Sequence, residues 1–372
     1  MEQSIVEVKN LIVKFYTYAG IVEALDGVNL KLKPGEILGL VGETGCGKSV
    51  TSLSMLQLVP PPGKIEGGEI HFNKDGKIVN ITSLDTQLLR QVRGKDIAMI
   101  FQEPRAYLNP VYTIETQIGE ALLLHRREEF LNKALENLER KGKKSSFEAK
   151  VYNRMLLKPK SLLTRFIAKL SRKKTLKEEI RGEVVNLLKA VEIADPERVA
   201  NMYPFELSGG MAQRAVIAMA LSCYPVMLIA DEPTTNLDVT IQAQILNLII
   251  QLRKNYKSTI LYITHDLGVV AELCDRVAVM YAGNVVETAE VYELFRNPLH
   301  PYTKGLLESI PRPGQEFKSI PGTVPSLINP PKGCRFHDRC SFTMDVCRNV
   351  KPEFMEVKKD HYVACHLYGG SK

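Results

Sequence analysis

The chain has 372 residues, 45% of them hydrophobic and 24% charged, which is enough for two or three domains with packed cores. No run of 18 apolar residues occurs, which excludes a membrane-spanning helix, and MEQSIVEVKN lacks the basic-then-apolar pattern of a secretory signal. A soluble intracellular protein is expected, and in its reducing surroundings a cysteine group points to metal or catalysis rather than to disulfides.

GEILGLVGETGCGKS, from Gly35 to Ser49, reads as strand, glycine loop and helix start. Its last eight residues fit G-x-x-x-x-G-K-[ST] in full: Gly42, Glu43, Thr44, Gly45, Cys46, Gly47, Lys48 and Ser49. Glycines let backbone N–H groups converge on phosphate oxygens, and the following helix, opened by Val50, presents its positive end. Lys48 would neutralise the β- and γ-phosphates and Ser49 would ligate Mg²⁺. Cys46 is read as a tolerated small residue.

Three further apolar runs end in polar groups: IAMIFQ (97–102), VMLIADE (226–232) and ILYITHD (260–266). Runs of this kind fit buried parallel strands. With helical patterns such as QAQILNLIIQLRK between them, they argue for an α/β domain with ligands at the carboxyl ends of the strands. Gln102, Asp231, Glu232 and His265 all fall at such ends. From His125 to Gly182 there are 18 Lys/Arg against 7 Asp/Glu, a local charge of +11 in a chain of +7, and this stretch is expected to be helical. LSGGMAQRAVIAMAL places Ser208, Gly209 and Gly210 at a helix start, either an ordinary capped terminus or a second anion site. After residue 290, prolines at 298, 301, 311, 313, 321, 325, 330 and 331 indicate a turn-rich tail. That tail carries Cys334, Cys340, Cys347 and Cys365, spaced C-x5-C-x6-C-x17-C, which fits no usual zinc pairing. Cys223 and Cys274 are read as core.

The phosphate loop together with LSGGMAQRAVIAMAL resembles the ATP-binding-cassette (ABC) proteins over residues 1 to about 290. The resemblance implies an ABC-type P-loop NTPase fold with a helical subdomain at about 105–205, carrying the basic insertion 125–182. It implies ATP and Mg²⁺ as cofactors, with Ser49, Gln102 and Asp231 around the metal and Glu232 as the base that activates water. His265 would contact the γ-phosphate, and Asp238 would signal to a second cassette whose Ser208–Gly210 equivalent closes over the nucleotide. Asn236 departs from the small residue common there. Among Phe15, Tyr16 and Tyr18, the position relative to the following AL-x-x-V (24–28) favours Phe15 as the adenine platform.

The wording IFQEPRAYLNP, IADEPTTNLDVTIQAQI and HPYTKGLLESIPR resembles the ATPase subunit of bacterial dipeptide and oligopeptide importers. The implied assembly lies on the cytoplasmic face of the membrane. Two permease subunits, a second identical or related ATPase and, indirectly, an extracellular peptide-binding protein are its partners. Nickel importers share much of this wording, and a non-transport ABC ATPase acting on nucleic acid is the rival class. The basic insertion is longer than in most relatives. It is open to three readings: a solvated helical elaboration, attraction to anionic lipid worth about 1 kcal/mol per basic residue near the surface, or nucleic-acid binding. The last is not expected, because basic and aromatic residues do not interleave. Similar tails in this branch imply that residues 291–372 form a small Cys-rich domain whose cluster region, about 320–372, binds a structural [4Fe–4S] group through the four cysteines, with zinc as the alternative. His337, His361 and His366 stand by as zinc ligands.

Overall fold

The computed structural model describes residues 4–74, 76–157, 174–311 and 319–369. They form two compact units, one of Met1–Arg93, Val226–Glu232 and Ile249–Lys372, the other of Gly94–Pro225 and Pro233–Leu248.

The first unit contains two sheets. Strands β1 (Val6–Thr17), β2 (Gly20–Leu32), β4 (Gly63–Lys74) and β5 (Lys77–Asn80) make an antiparallel sheet in the order β2-β1-β4-β5. In the second sheet β3 (Ile37–Val41) lies between β8 (Thr259–Ile263) and β9 (Arg276–Tyr281), parallel to both, and β7 (Met227–Asp231) pairs parallel with β8. All four strands are buried along their whole length. This is why each reads as an unbroken apolar run rather than an alternating one. The register Leu40↔Ile263 and Asp231↔Ile263 aligns the carboxyl ends of β3, β7 and β8.

The tail does not stand apart as a small domain. Strands β10 (Asn284–Glu290), β12 (His361–Val363) and β11 (Met355–Lys358) extend the same sheet antiparallel beyond β9. Tyr281, Tyr302 and Phe336 pack ring on ring, with centroids 4.6 to 5.4 Å apart. Under them lies a polar hub. The fully buried carboxylate of Glu287 accepts from the N–H groups of Leu299 (2.7 Å) and His300 (2.8 Å) and pairs with His361 Nε2 (2.7 Å). Such a tail shares the core of the sheet.

The second unit is mainly helical around the short strand β6 (Ile97–Ile100). Within the basic stretch, helices Arg127–Arg140, Phe147–Leu157 and the first part of Lys174–Ala190 bury Phe130, Leu131, Leu138, Tyr152, Met155, Leu176 and Ile180 and turn their charges outward. Arg126 forks onto Glu129 (2.7 and 2.6 Å) and holds that carboxyl down to about 2. Six of the basic residues, within 158–173, lie outside the described residues. Cys274 is buried, whereas Cys223 is only half-buried and faces Ser222 and the Ala121 carbonyl, so it is not the core residue its apolar neighbours implied. Among the described residues, no helix is long and apolar enough to cross a membrane.

His300 is buried and accepts from the Tyr302 N–H at 3.0 Å, and burial lowers its pKa to about 4. In the unfolded chain it takes a proton near the ordinary value of about 6.5. The unfolded state therefore binds the extra proton, so His300's contribution is complete above that value and is lost as pH falls toward 4. Denaturant unfolding between pH 7 and 4 is expected to lose up to about 3 kcal/mol through this residue. In His300→Asn the slope of stability against pH is expected to flatten; an unchanged slope would contradict the assignment.

Candidate functional site

The loop after β3 needs glycine for steric reasons. Gly42, Gly45 and Gly47 have φ of 151°, 81° and 107°. A Cβ on Gly42 would fall 2.1 Å from the Met280 carbonyl oxygen, and one on Gly47 would fall 2.7 Å from Leu25. Gly47 caps the helix Lys48–Ser54, and Val50 lies in its first turn. The Lys48 ammonium is buried in the curl of the loop, where it donates to the carbonyls of Gly42 (2.8 Å) and Glu43 (3.2 Å). Thr44 and Gly45 are exposed on the loop's outer side. Cys46 packs inside, 3.9 Å from Lys48 Nζ, and burial pushes its thiol up.

The neighbouring strand ends converge here. Ser49 Oγ donates to Asp231 Oδ1 at 3.2 Å, and burial raises the Asp231 carboxyl against the opposing effect of that bond. A buried carboxylate and a hydroxyl side by side are a fitting oxygen donor pair for Mg²⁺, whose charge would relieve the cost of ionising Asp231. Glu232 follows with φ of 45°, a left-handed turn held by its N–H on the Ile263 carbonyl at 2.9 Å. The turn brings its carboxylate 3.2 Å from His265 Nδ1. The pattern predicted both residues at strand ends; their contact is a structural addition.

In the second unit Gln102 is exposed just beyond β6, next to the stacked rings of Phe101 and Tyr107. Ser208 caps the helix Gly209–Leu221, its hydroxyl accepting from Met211 N at 3.3 Å. A Cβ on Gly210 would fall 2.9 Å from Ile241, so close packing as well as N–H exposure calls for glycine there. Asp238 accepts from Ile241 N at 2.9 Å, and Asn236 has φ of 64°, a conformation asparagine tolerates. In the first unit, Phe15 is half-buried against Gly63 of β4, Tyr16 hydrogen-bonds Glu66 at 2.9 Å, and Tyr18 is fully exposed.

The four tail cysteines come near one another. Burial first, then the charges of Cys347, Cys365 and Cys340, push the Cys334 thiol up to about 12, and burial also raises Cys340 and Cys365. Yet among the described residues no three His, Cys, Asp or Glu side chains form a group that can hold a metal ion. The expected cluster domain and its [4Fe–4S] ligand set thus find no support in this arrangement. The zinc alternative likewise finds no converging group of three ligands among the described residues. One ring nitrogen of each histidine is engaged: His337 Nδ1 lies 2.8 Å from the Cys334 carbonyl, His366 Nε2 lies 2.8 Å from the Val350 carbonyl, and His361 Nε2 lies on Glu287.

Sequence reasoning missed the tail side of the phosphate loop. Arg339 grips the Glu43 carboxylate and Tyr302 receives the Glu43 N–H. An Arg beside a Cys and a Tyr after HP gave no local signal, since the partners are 296 and 259 residues away.

Comparison with known proteins agrees with this geometry. Residues 25–235 match the family "ABC transporter", and residues 286–347 match "Oligopeptide/dipeptide transporter, C-terminal region". The oligopeptide transport ATP-binding protein OppD of Bacillus subtilis is 44% identical over 368 residues, covering 98% of this chain and 88% of the relative. The dipeptide transport ATP-binding protein DppD of the same organism is 43% identical over 370 residues, covering 98% and 95%. A probable peptide ABC transporter ATP-binding protein of Sinorhizobium fredii is 45% identical, covering 97% and 94%. Among solved structures, a dimeric bacterial ABC transporter cassette superposes with a TM-score of 0.56 at 25% identity, covering 77% of this chain and 98% of that one. A phosphate loop, a paired acid and histidine at adjacent strand ends, and two family matches in sequence order lead to one conclusion: the chain belongs to the ABC transporter family, as an ATP-binding subunit with the C-terminal region of the oligopeptide/dipeptide transporters.

Proposed function

We propose that this chain is the ATP-hydrolysing subunit that powers dipeptide or oligopeptide import through membrane permeases. The observation that carries the reading is the meeting of Lys48, Ser49, Asp231, Glu232 and His265 at the ends of adjacent parallel strands, in a chain whose tail matches the peptide-transporter region. Residues 1–290 would be the ATPase domain and 291–372 the transporter-specific tail.

In the mechanism, Lys48 leaves the loop carbonyls for the β- and γ-phosphates, exchanging neutral acceptors for charged ones. Ser49 and Asp231 would hold Mg²⁺, which when bound offsets phosphate charge. Glu232 accepts a proton from water as the water oxygen attacks the γ-phosphorus and the bond to the β-phosphate oxygen breaks, leaving ADP and phosphate. His265, hydrogen-bonded to Glu232, orients that carboxylate and reaches toward the γ-phosphate. Ser208, Gly209 and Gly210 would close over nucleotide held by a second, identical or related cassette, with Asp238 at that contact. Gln102 would link Mg²⁺ occupancy to the permeases, and Phe15 would support adenine. The permeases place the chain on the cytoplasmic face of the membrane, where the basic helices can meet anionic head groups. The [4Fe–4S] reading rests on the grouping of the four thiols, and among the described residues no converging ligand set accompanies it.

Three outcomes are expected. Glu232→Gln should lower ATP turnover by ~10²–10⁴ while ATP still binds, measured by phosphate release and by nucleotide binding; unimpaired turnover would remove Glu232 from the base role. With permeases and partner ATPase reconstituted in vesicles, Lys48→Ala should stop uptake of a labelled dipeptide, and continued uptake would refute the motor assignment. Iron, acid-labile sulfide and zinc on anaerobically purified chain decide the tail: about four iron and four sulfide per chain would establish a cluster, one zinc in their place would make it a zinc module, and no metal would leave the thiols as packing.

A further inference from the structure

Glu43, the second residue of the phosphate loop, is fixed at three points. Its carbonyl accepts from Lys48, its N–H donates to Tyr302 Oη at 3.0 Å, and its carboxylate is held by Arg339. The last contact is a fork: Nη1 to Oε2 at 2.8 Å and Nη2 to Oε1 at 3.1 Å. Paired planar hydrogen bonds of this kind fix geometry as well as charge. Arg339 is itself well anchored. Its side chain is 6% exposed, Nε donates to the Pro321 carbonyl at 2.8 Å, and its guanidinium lies 5.7 and 5.9 Å from the rings of Tyr281 and Phe336.

A carboxylate in a loop that receives a triphosphate works against binding, because like charges repel within a Debye length of about 8–10 Å. Arg339 cancels that charge where it arises. The loop's other cation, Lys48, serves the backbone carbonyls on the inner side and makes no contact with the Glu43 carboxylate.

We propose that Arg339 of the Cys-rich tail is a positioning residue for nucleotide: by pairing with Glu43 it neutralises and orients the phosphate loop, so that the tail sets ATP affinity. This rests on the reading of Gly42–Ser49 as the phosphate site. The tail then does more than complete the sheet. Arg339 lies directly before Cys340, in the segment whose Cys334 N–H bonds the Cys347 carbonyl at 2.8 Å.

The test is a double-mutant cycle on the full chain, with a fluorescent ATP analogue and Mg²⁺ as the probe and thermal unfolding as the fold control. Arg339→Gln is expected to weaken binding about tenfold, the loss of one charge-assisted pair, and to raise KM for ATP more than it lowers kcat. Arg339→Lys should recover part of the affinity. In the Glu43→Gln background, Arg339→Gln should change affinity by less than about twofold, because no carboxylate is left to neutralise. Equal losses in both backgrounds, or no loss in either, would overturn the proposal and leave Arg339 a scaffold residue. A wild-type chain that binds no analogue would overturn the phosphate-loop reading itself, and is recognised without any variant.

Discussion

The structure depends on β3 being clamped, parallel and fully buried, between β8 and β9, with β7 beyond β8. A parallel strand so enclosed can leave the sheet only at its carboxyl end, and here that exit is the glycine loop. The same register makes β7 and β8 end alongside it. Lys48, Ser49, Asp231, Glu232 and His265 are thus brought together by backbone pairing before any side chain selects a partner. Glu232 sits in a left-handed conformation that costs a non-glycine residue about 1–2 kcal/mol, and its bond to the Ile263 carbonyl holds it there. The strain has a use: it turns the carboxylate toward His265.

The tail relies on the same sheet. Strand β12 pairs with β10, and the rings of Tyr281, Tyr302 and Phe336 seal the contact. Arg335 donates to the Ala282 carbonyl at 2.6 Å and to Glu23 at 3.0 Å, while Arg339 turns to the phosphate loop. The C-terminal region, which matches the oligopeptide/dipeptide transporter family, therefore also contacts the phosphate loop through Tyr302 and Arg339. That economy explains how the tail can fold without an independent core.

Much of the site was legible because its signals are local. Unbroken apolar runs marked β3, β7 and β8, and the glycine spacing marked the phosphate loop, whose three glycines the structure gives positive φ. Ser208 was visible as a cap. The antiparallel sheet β2-β1-β4-β5 was not foreseen, because β1 is half-exposed with register shifts after Val8, Leu11 and Val13, which blur a period of two. Contacts at long separation, such as His265 with Glu232 and Arg339 with Glu43, leave no periodic trace in a single chain. For the cysteine tail, grouping in sequence does bring the thiols near one another, but a ligand set depends on side-chain convergence that spacing alone does not specify, and none is formed among the described residues.

The most direct measurement is a crystal structure of the Glu232→Gln chain with ATP and Mg²⁺. The account predicts Mg²⁺ about 2.1 Å from Ser49 Oγ, with Asp231 in its coordination or hydration shell, and Lys48 moved from the carbonyls of Gly42 and Glu43 to the phosphates. Nucleotide bound elsewhere, or Lys48 still on those carbonyls beside bound phosphates, would contradict it.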